Sequence, residues 1–350
     1  MSKKYGIIFL FLILCVGLIG CSSDASSSGG ENGDVEVEID NASYVLADEG
    51  GTSTDDNTGM LAVEFAVTNN NEYPITISPH DGIKLDDEGE QKSPQTDLYN
   101  DKVDLDSTFT GDIGAEKMAK ITSIFYVEKD KAYEVRMSPF STNADADIED
   151  VTVALDTAEF SDSFDALNEP EEALSAYIDT IYLDQENDDY ERLVSADKEA
   201  LQEEAKDLFA DRMDSAFMMS VPEEEIDKNY ETYKSLLTDE AEITTETIAN
   251  ANNKAVVTVD YATLPLDLHE PVSDYSDEYI DNQDDFDYDS DEMEEYALSN
   301  FDNILNDIEP ETSRETLEIL MVNEDGKWSV DTSDWNSELL AEAFSEGYVY

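Results

Sequence analysis

The segment Leu61-Ala-Val-Glu-Phe-Ala-Val67 places an apolar side chain at every second position, the period of a strand with one face buried. Further along, Leu174, Tyr177, Ile178 and Ile181 recur at the spacing of one helical face, within Ala176-Tyr-Ile-Asp-Thr-Ile-Tyr-Leu183. These two stretches stand for two classes of structure, and the chain around each follows the same period. Upstream and downstream of the first lie Val35-Glu-Val-Glu-Ile39, Ile75-Thr-Ile77, Ile121 to Val127, Ala132 to Met137 and Val151-Thr-Val-Ala-Leu155. Asn69-Asn-Asn71, Asp87-Glu-Gly89 and Asp112-Ile-Gly114 punctuate them as turns. Short alternating runs without a helical period predict an antiparallel β-sandwich over residues 35–160.

From residue 168 to 350 the expectation is an α+β domain with helices packed on an antiparallel sheet. Its helical stripes are Leu201, Ala205, Leu208, Phe209, Met213, Ala216 and Phe217, then Ile226, Tyr230, Tyr233 and Leu237, each repeating near 3.6 residues. Ser220-Val-Pro-Glu223 reads as a capping box, and Asn168-Glu-Pro-Glu171 as a similar helix start. Glu242 to Ile248 and Lys254 to Leu264, joined by Ala249-Asn-Ala-Asn-Asn253, form a first predicted hairpin. A helix bearing Met293, Ala297, Phe301, Ile304 and Ile308 stops at Pro310. A second hairpin turns at Asn323-Glu-Asp-Gly326, and a last helix spans about Asp334 to Phe344.

Charge narrows the function. The 350 residues carry 19 basic and 87 acidic side chains, a formal net charge of −68. The arginines are Arg136, Arg192, Arg212 and Arg314, so no basic cluster exists for phosphate recognition, and nucleic acid is excluded as a partner. The hydrophobic fraction of 40% is nonetheless enough to build cores. Because about one residue in four is acidic, carboxylate pairs arise by chance throughout, and none singles out a glycosidase.

The first residues read as an address. Lys3 and Lys4 precede the apolar run Gly6 to Ile19, which is too short to span a bilayer and has the organisation of a signal peptide over residues 1–20. Its ending, Leu18-Ile19-Gly20-Cys21, resembles the bacterial lipobox. That resemblance implies cleavage before Cys21, a diacylglyceryl group on its thiol, and anchoring to the outer face of a cell membrane. The mature chain would keep 330 residues at a net charge of −70, with Cys15 lost and Cys21 consumed, so thiol catalysis and disulfides are excluded together. Residues 21–34, rich in Ser and Gly, are expected to be a flexible tether with a reach of roughly 20 Å.

The stretch Gly59 to Pro79, then Ile83-Lys-Leu-Asp-Asp-Glu-Gly89, then Ile124 to Val135, resembles the telokin-like, immunoglobulin-like module of Gram-positive-type surface lipoproteins. Residues 168–350 resemble the C-terminal domain of unknown function that accompanies this module. The helix between the two hairpins departs from the cone-shaped nuclear-transport-factor-like fold. These resemblances imply a fold and no activity.

Among sites, Asp274 to Glu292 inserts acids and aromatics between a strand and a helix and is expected to be a solvated loop. Asp285, Asp287, Asp289 and Asp291 are its candidate calcium ligands, although Ser290 and Glu292 stand where a helix–loop–helix calcium site needs glycine. His80 and His269 each lie by a proline in a turn-like context. The aromatics Tyr177, Tyr182, Tyr190, Tyr230, Tyr233, Tyr261, Trp328 and Trp335 either fill a core or line a cleft. The sequence thus leads to a lipid-anchored, non-catalytic binding or interaction module whose partner is a surface protein or cell-wall ligand. The alternatives are a divalent-cation-responsive protein using loop 274–292 and, third, a hydrolase in the C-terminal domain built on His269 or a buried acid.

Overall fold

The computed structural model describes residues 29–47, 57–96, 98, 100–105, 107–108, 110–143, 145–282 and 289–349. The N-terminal part runs through β1 (Gly29–Glu31), β2 (Val35–Ala47), β3 (Thr58–Asn69), β4 (Ile75–Thr76), β5 (Ile83–Asp87), β6 (Glu90–Lys92), β7 (Asp112–Ile113), β8 (Met118–Glu128), β9 (Ala132–Met137) and β10 (Val151–Asp156). A 3-10 turn at Thr157–Phe160 leads into the C-terminal part. This comprises α1 (Ser161–Asp165), α2 (Glu169–Ile181), α3 (Asp188–Leu193), α4 (Lys198–Ala216), α5 (Glu223–Glu240), β11 (Glu242–Ala251), β12 (Lys254–Thr263), α6 (His269–Asp281), α7 (Ser290–Ser299), α8 (Phe301–Asn306), β13 (Glu311–Thr312), β14 (Leu317–Glu324), β15 (Lys327–Val330) and α9 (Trp335–Ser345). The whole is a two-part protein of antiparallel sheets and helices.

In the N-terminal part, β2, β3 and β8 face a second antiparallel layer ordered β10-β9-β5-β6. Alternate residues fill the space between: Val63, Phe65 and Val67 from one layer meet Leu85, Val135 and Val153 from the other, all fully buried. Period-2 patterning would fail along β2 without its irregularity at Asp40. Before it, Val35 and Val37 point inward; after it, Ala42 and Tyr44 do, and the pairing with β3 shifts between Ile39 and Asn41. One extra residue thus keeps the apolar set on the core face of a long strand.

The expected tether is shorter than residues 21–34. Gly29–Glu31 pairs antiparallel with Glu36–Glu38, and the Asn32 side chain accepts hydrogen bonds from the amides of Asp34 and Val35 at 2.9 and 2.7 Å, closing the turn between them. Gly30 makes this docking possible, since a Cβ there would lie 2.1 Å from the carbonyl oxygen of Thr152 on β10. A Ser- and Gly-rich composition hid a strand because the glycine is needed for close approach of two backbones, not for flexibility.

The C-terminal part packs helices on one face of β11, β12, β14 and β15, with Phe209, Tyr233, Val257, Ile319 and Phe344 in its core. Both hairpins turn through paired left-handed residues, Asn252 and Asn253 in the first, Asp325 and Gly326 in the second. That conformation matches the twist of the flanking strands and favours these residue types. The predicted capping box at Ser220 does not form: Pro222 stands at the helix start without a side-chain cap. Asn168 likewise stands at the start of α2 without a side-chain bond. The predicted long helix through Met293 and Ile308 is two, because the chain breaks at Asn300.

The expected acidic loop is also corrected. Residues 274–281 belong to α6 and 290–292 to α7, leaving 283–288 outside the described residues. Tyr275 and Tyr279, one helical turn apart, pack on Tyr296 of α7 with ring centroids 6.4 and 5.6 Å away, and the Tyr279 hydroxyl donates to Glu292 at 2.8 Å. Aromatic contacts between the two helices offset the like-charge repulsion that composition alone emphasises.

The two parts share one sheet. Ala249 and Asn250 of β11 pair with Ala47 and Leu46 of β2, so that β15-β14-β12-β11-β2-β3-β8 is continuous.

Candidate functional site

The seam between the parts has its own apolar cluster. Val45 and Ala47 of β2, Met60 of β3 and Ile124 of β8 turn away from the sandwich interior. They meet Ala249, Ala251 and Val256 from the first hairpin, with Val103 and Leu105 laid across them. Here the three strands are buried on both faces. The sequence signal is a doubled apolar pair where alternation demands a polar residue: Met60-Leu61, Ile124-Phe125 and Val45-Leu46-Ala47. That signal was legible, and alternation-based reading passed over it.

Polar bonds close the seam. The Asn252 amide donates to the carbonyl of Asp104 at 2.7 Å, and Asn250 to that of Leu167 at 3.0 Å. Lys102 donates to the carbonyl of Glu318 at 2.9 Å and lies 3.5 Å from the Asp334 carboxylate. Cations are scarce in this chain, and several stand at joints. Arg192 ties α3 to the Glu172 carboxylate of α2 at 3.1 Å, and Lys120 crosses the sheet to Asp40 and Glu64 at 2.5 and 2.7 Å. Exposed pairs of this kind are screened by solvent and worth little alone, so the apolar cluster and not the charges holds the seam.

Beside this cluster a cavity of about 100 Å³ opens between the β2-β3-β8 face and the tip of the first hairpin. Leu105 and Ile124 form its apolar wall, and Asn41, Ser43, Glu64 and Asn252 its polar one. The cavity is small and more polar than apolar in its lining, and it stands at the junction of the two parts, a place where ligand sites commonly form. The continuous sheet fixes the relation between its walls.

The residues singled out by sequence lie elsewhere. Leu18, Ile19, Gly20 and Cys21 lie outside the described residues, as do Asp285 and Asp287. Asp289 and Asp291 are described: the Asp289 carboxylate accepts a hydrogen bond from the Asp291 amide at 3.1 Å and caps α7. Among the described residues no group of three or more His, Cys, Asp or Glu is placed to hold a metal ion. His269, expected in a turn, is the exposed first residue of α6. His80 borders a separate cavity in the N-terminal part.

The aromatics resolve mainly to core. Tyr233 is fully buried and donates to the Leu264 carbonyl at 3.1 Å, and burial drives its phenol well above the ordinary range. Tyr177 is pushed up to about 12 by burial, and Tyr182 is raised well above its ordinary value for the same reason. Both stay neutral at any physiological pH, which suits hydrogen bonding and not proton abstraction. They also border a cavity of about 150 Å³ with Glu204 and Glu338 at its exposed rim. Trp335 alone of the set is largely exposed, at 65%.

One buried acid had no sequence signal. Glu294 of α7 is 7% exposed, and its two carboxylate oxygens accept the amides of Met218 and Met219 at 3.1 and 2.6 Å. It therefore fixes the α4–α5 connection, with Asp214 accepting from Val221 at 3.1 Å on the other side. Both carboxylates hold backbone, Glu294 with both of its oxygens and the exposed Asp214 with one.

A family model described as a domain of unknown function, DUF5105, matches residues 160–345. The chain is 27% identical over 364 residues to the uncharacterized lipoprotein YcdA of Bacillus subtilis (strain 168), covering 98% of this chain and 99% of that protein. The crystal structure of that Bacillus subtilis lipoprotein aligns with a TM-score of 0.66 at 23% identity, over 91% of this chain and 99% of that one. The likeness shows a shared fold that takes in both parts.

Proposed function

The chain belongs to the DUF5105 family, and from that premise we propose that it is a lipoprotein held at the outer face of a cell membrane, where it acts as a non-catalytic binding module. The relative's name as a lipoprotein supports the anchor. So does Leu18-Ile19-Gly20-Cys21, with the diacylglyceryl group on the Cys21 thiol. Its two antiparallel layers and Asn-rich turn support reading the N-terminal part as immunoglobulin-like, of the telokin-like class.

The observation that carries the binding role is the cleft at the seam, whose walls come from both parts and are fixed by one sheet. Only residues 22–28 separate Cys21 from β1. At roughly 3.3–3.6 Å per residue, they span at most about 25 Å when fully extended. The spacer thereby holds β1 close to the bilayer, and the partner proposed for the cleft is a surface protein or a cell-wall component.

Photo-crosslinking on intact cells tests this. A photoreactive residue placed at Ser43 or Asn252 is expected to give one discrete adduct, absent when the same group stands at Glu203 on α4. The adduct is expected to vanish in a Cys21→Ser chain, which loses the anchor. Equal labelling from Ser43, Asn252 and Glu203, or none from the cleft, would refute the reading.

A further inference from the structure

The strand nearest the proposed anchor brings no side chain to the core. β1 is Gly29-Gly30-Glu31, paired antiparallel with Glu38, Val37 and Glu36 of β2. Without an apolar side chain it gains no hydrophobic burial. It is held by backbone pairing, by the Asn32 turn and by the bond from the Asn32 amide to the Glu149 carbonyl at 2.5 Å. Fixing the backbone of a residue costs about as much as one such hydrogen bond returns, and glycine, two of these three residues, loses the most freedom. Glu31 also stands directly across from Glu36, where like charges repel.

β1 bridges two edges. On one side it pairs with β2; on the other, Gly30 approaches the Thr152 carbonyl of β10, the end strand of the second layer. Each of these strands keeps another partner, β3 for β2 and β9 for β10. Each also keeps its own core residues, Val35 and Val37 in β2, Val151 and Val153 in β10. Undocking of β1 therefore uncovers two edges and leaves the core filled.

We propose that β1 is a detachable strap that sets the length of the membrane tether. The proposal rests on the anchor at Cys21 inferred above. With β1 docked, residues 22–28 separate Cys21 from the fold; with β1 undocked, residues 22–34 do. At roughly 3.3–3.6 Å per residue, the greatest reach rises from about 25 Å to about 45 Å. The opposing terms that hold and loosen β1 are of similar size, so the two forms lie near balance. A pull through the anchor loads Gly29 first, at the open end of the hairpin, and favours the longer form. The folded part can then follow a bound partner away from the bilayer without leaving its lipid.

The test reads the strap and the anchor separately. In a chain that begins at residue 21 and carries Cys21→Ser, spin labels are placed at Gly29→Cys and Thr152→Cys, both exposed positions. A Cβ at Gly29 has no neighbour beyond the adjacent residues closer than 3.6 Å. Pulsed electron-spin distances are expected to show two populations. Glu31→Gln should raise the ratio of docked to undocked about threefold by removing the repulsion from Glu36. Gly30→Val, whose Cβ would meet the Thr152 carbonyl oxygen at 2.1 Å, should leave only the longer distance. It should not lower the midpoint of thermal unfolding, since no core side chain is lost. The lipidated chain in phosphatidylcholine vesicles, with a donor dye at Glu203→Cys and an acceptor in the lipid, should transfer less energy when it also carries Gly30→Val. A single distance in the labelled chain, a Gly30→Val chain with a lowered midpoint, or equal energy transfer from the two lipidated chains would overturn the proposal. A chain that takes up no lipid at Cys21 would refute the anchor and with it the tether's role, while the two distances in solution would still report the strap.

Discussion

Phe65→Ala is expected to destabilise the chain by about 3–5 kcal/mol and to lower the urea midpoint reported by Trp328 and Trp335, which both lie in the other part. Phe65 is fully buried in β3, among the side chains that fill the space between the two N-terminal layers. A truncated ring leaves a cavity there that the surrounding strands fill only in part. β3 also carries Met60 into the seam and pairs with β2, which pairs with β11. Loss of order in β3 therefore removes a wall of the seam cluster and the partner of the C-terminal sheet. Tryptophan fluorescence should register a change made in a part that contains no tryptophan. An unchanged fluorescence midpoint beside a lower N-terminal stability would mean that the parts unfold separately.

Glu294→Ala should produce the second large loss, about 3 kcal/mol or more. The Glu294 carboxylate accepts two backbone amides in a nearly water-free position, and hydrogen bonds to a charged group are worth about 1.5–3 kcal/mol each. Removing it leaves the Met218 and Met219 amides without their acceptor. The prediction is checked by chemical denaturation together with proteolysis. The variant should be cut at the α4–α5 connection, where Met218 is already 90% exposed, before global unfolding. Glu294→Gln, which keeps one good acceptor, should recover part of the loss. Wild-type stability in Glu294→Ala would show that the carboxylate does not hold this connection.

The elements that sequence reading found are those whose pattern is local. The alternation of Leu61 to Val67 marks β3, and the spacing of Leu174, Tyr177, Ile178 and Ile181 marks the buried face of α2. What it missed depends on neighbours distant in the chain. Gly30 resembles linker until Thr152 is placed against it, and the acidic run at 274–281 resembles solvated loop until Tyr296 is placed beside Tyr275 and Tyr279. The spacing of Val272, Tyr275 and Tyr279 did carry a helical period, masked by the charge between.

The site was less legible than the fold. Its walls come from Asn41, Glu64, Leu105 and Asn252, which lie in four separate segments and share no motif. The doubled pairs Met60-Leu61 and Ile124-Phe125 marked strands buried on both sides, and they could have located the seam. They could not have named its partner, since the other wall is built from a hairpin well over a hundred residues further along the chain.

The account rests on the two parts being one structural unit that presents a fixed cleft. Its most direct test follows urea unfolding of the wild-type chain with two probes: tryptophan fluorescence for the C-terminal part, and amide hydrogen exchange of β3 and β8 for the N-terminal part. The shared sheet and the seam cluster predict coincident midpoints and a single transition. Two transitions, with β3 and β8 exchanging while tryptophan fluorescence stays native, would contradict it and leave the cleft without fixed walls.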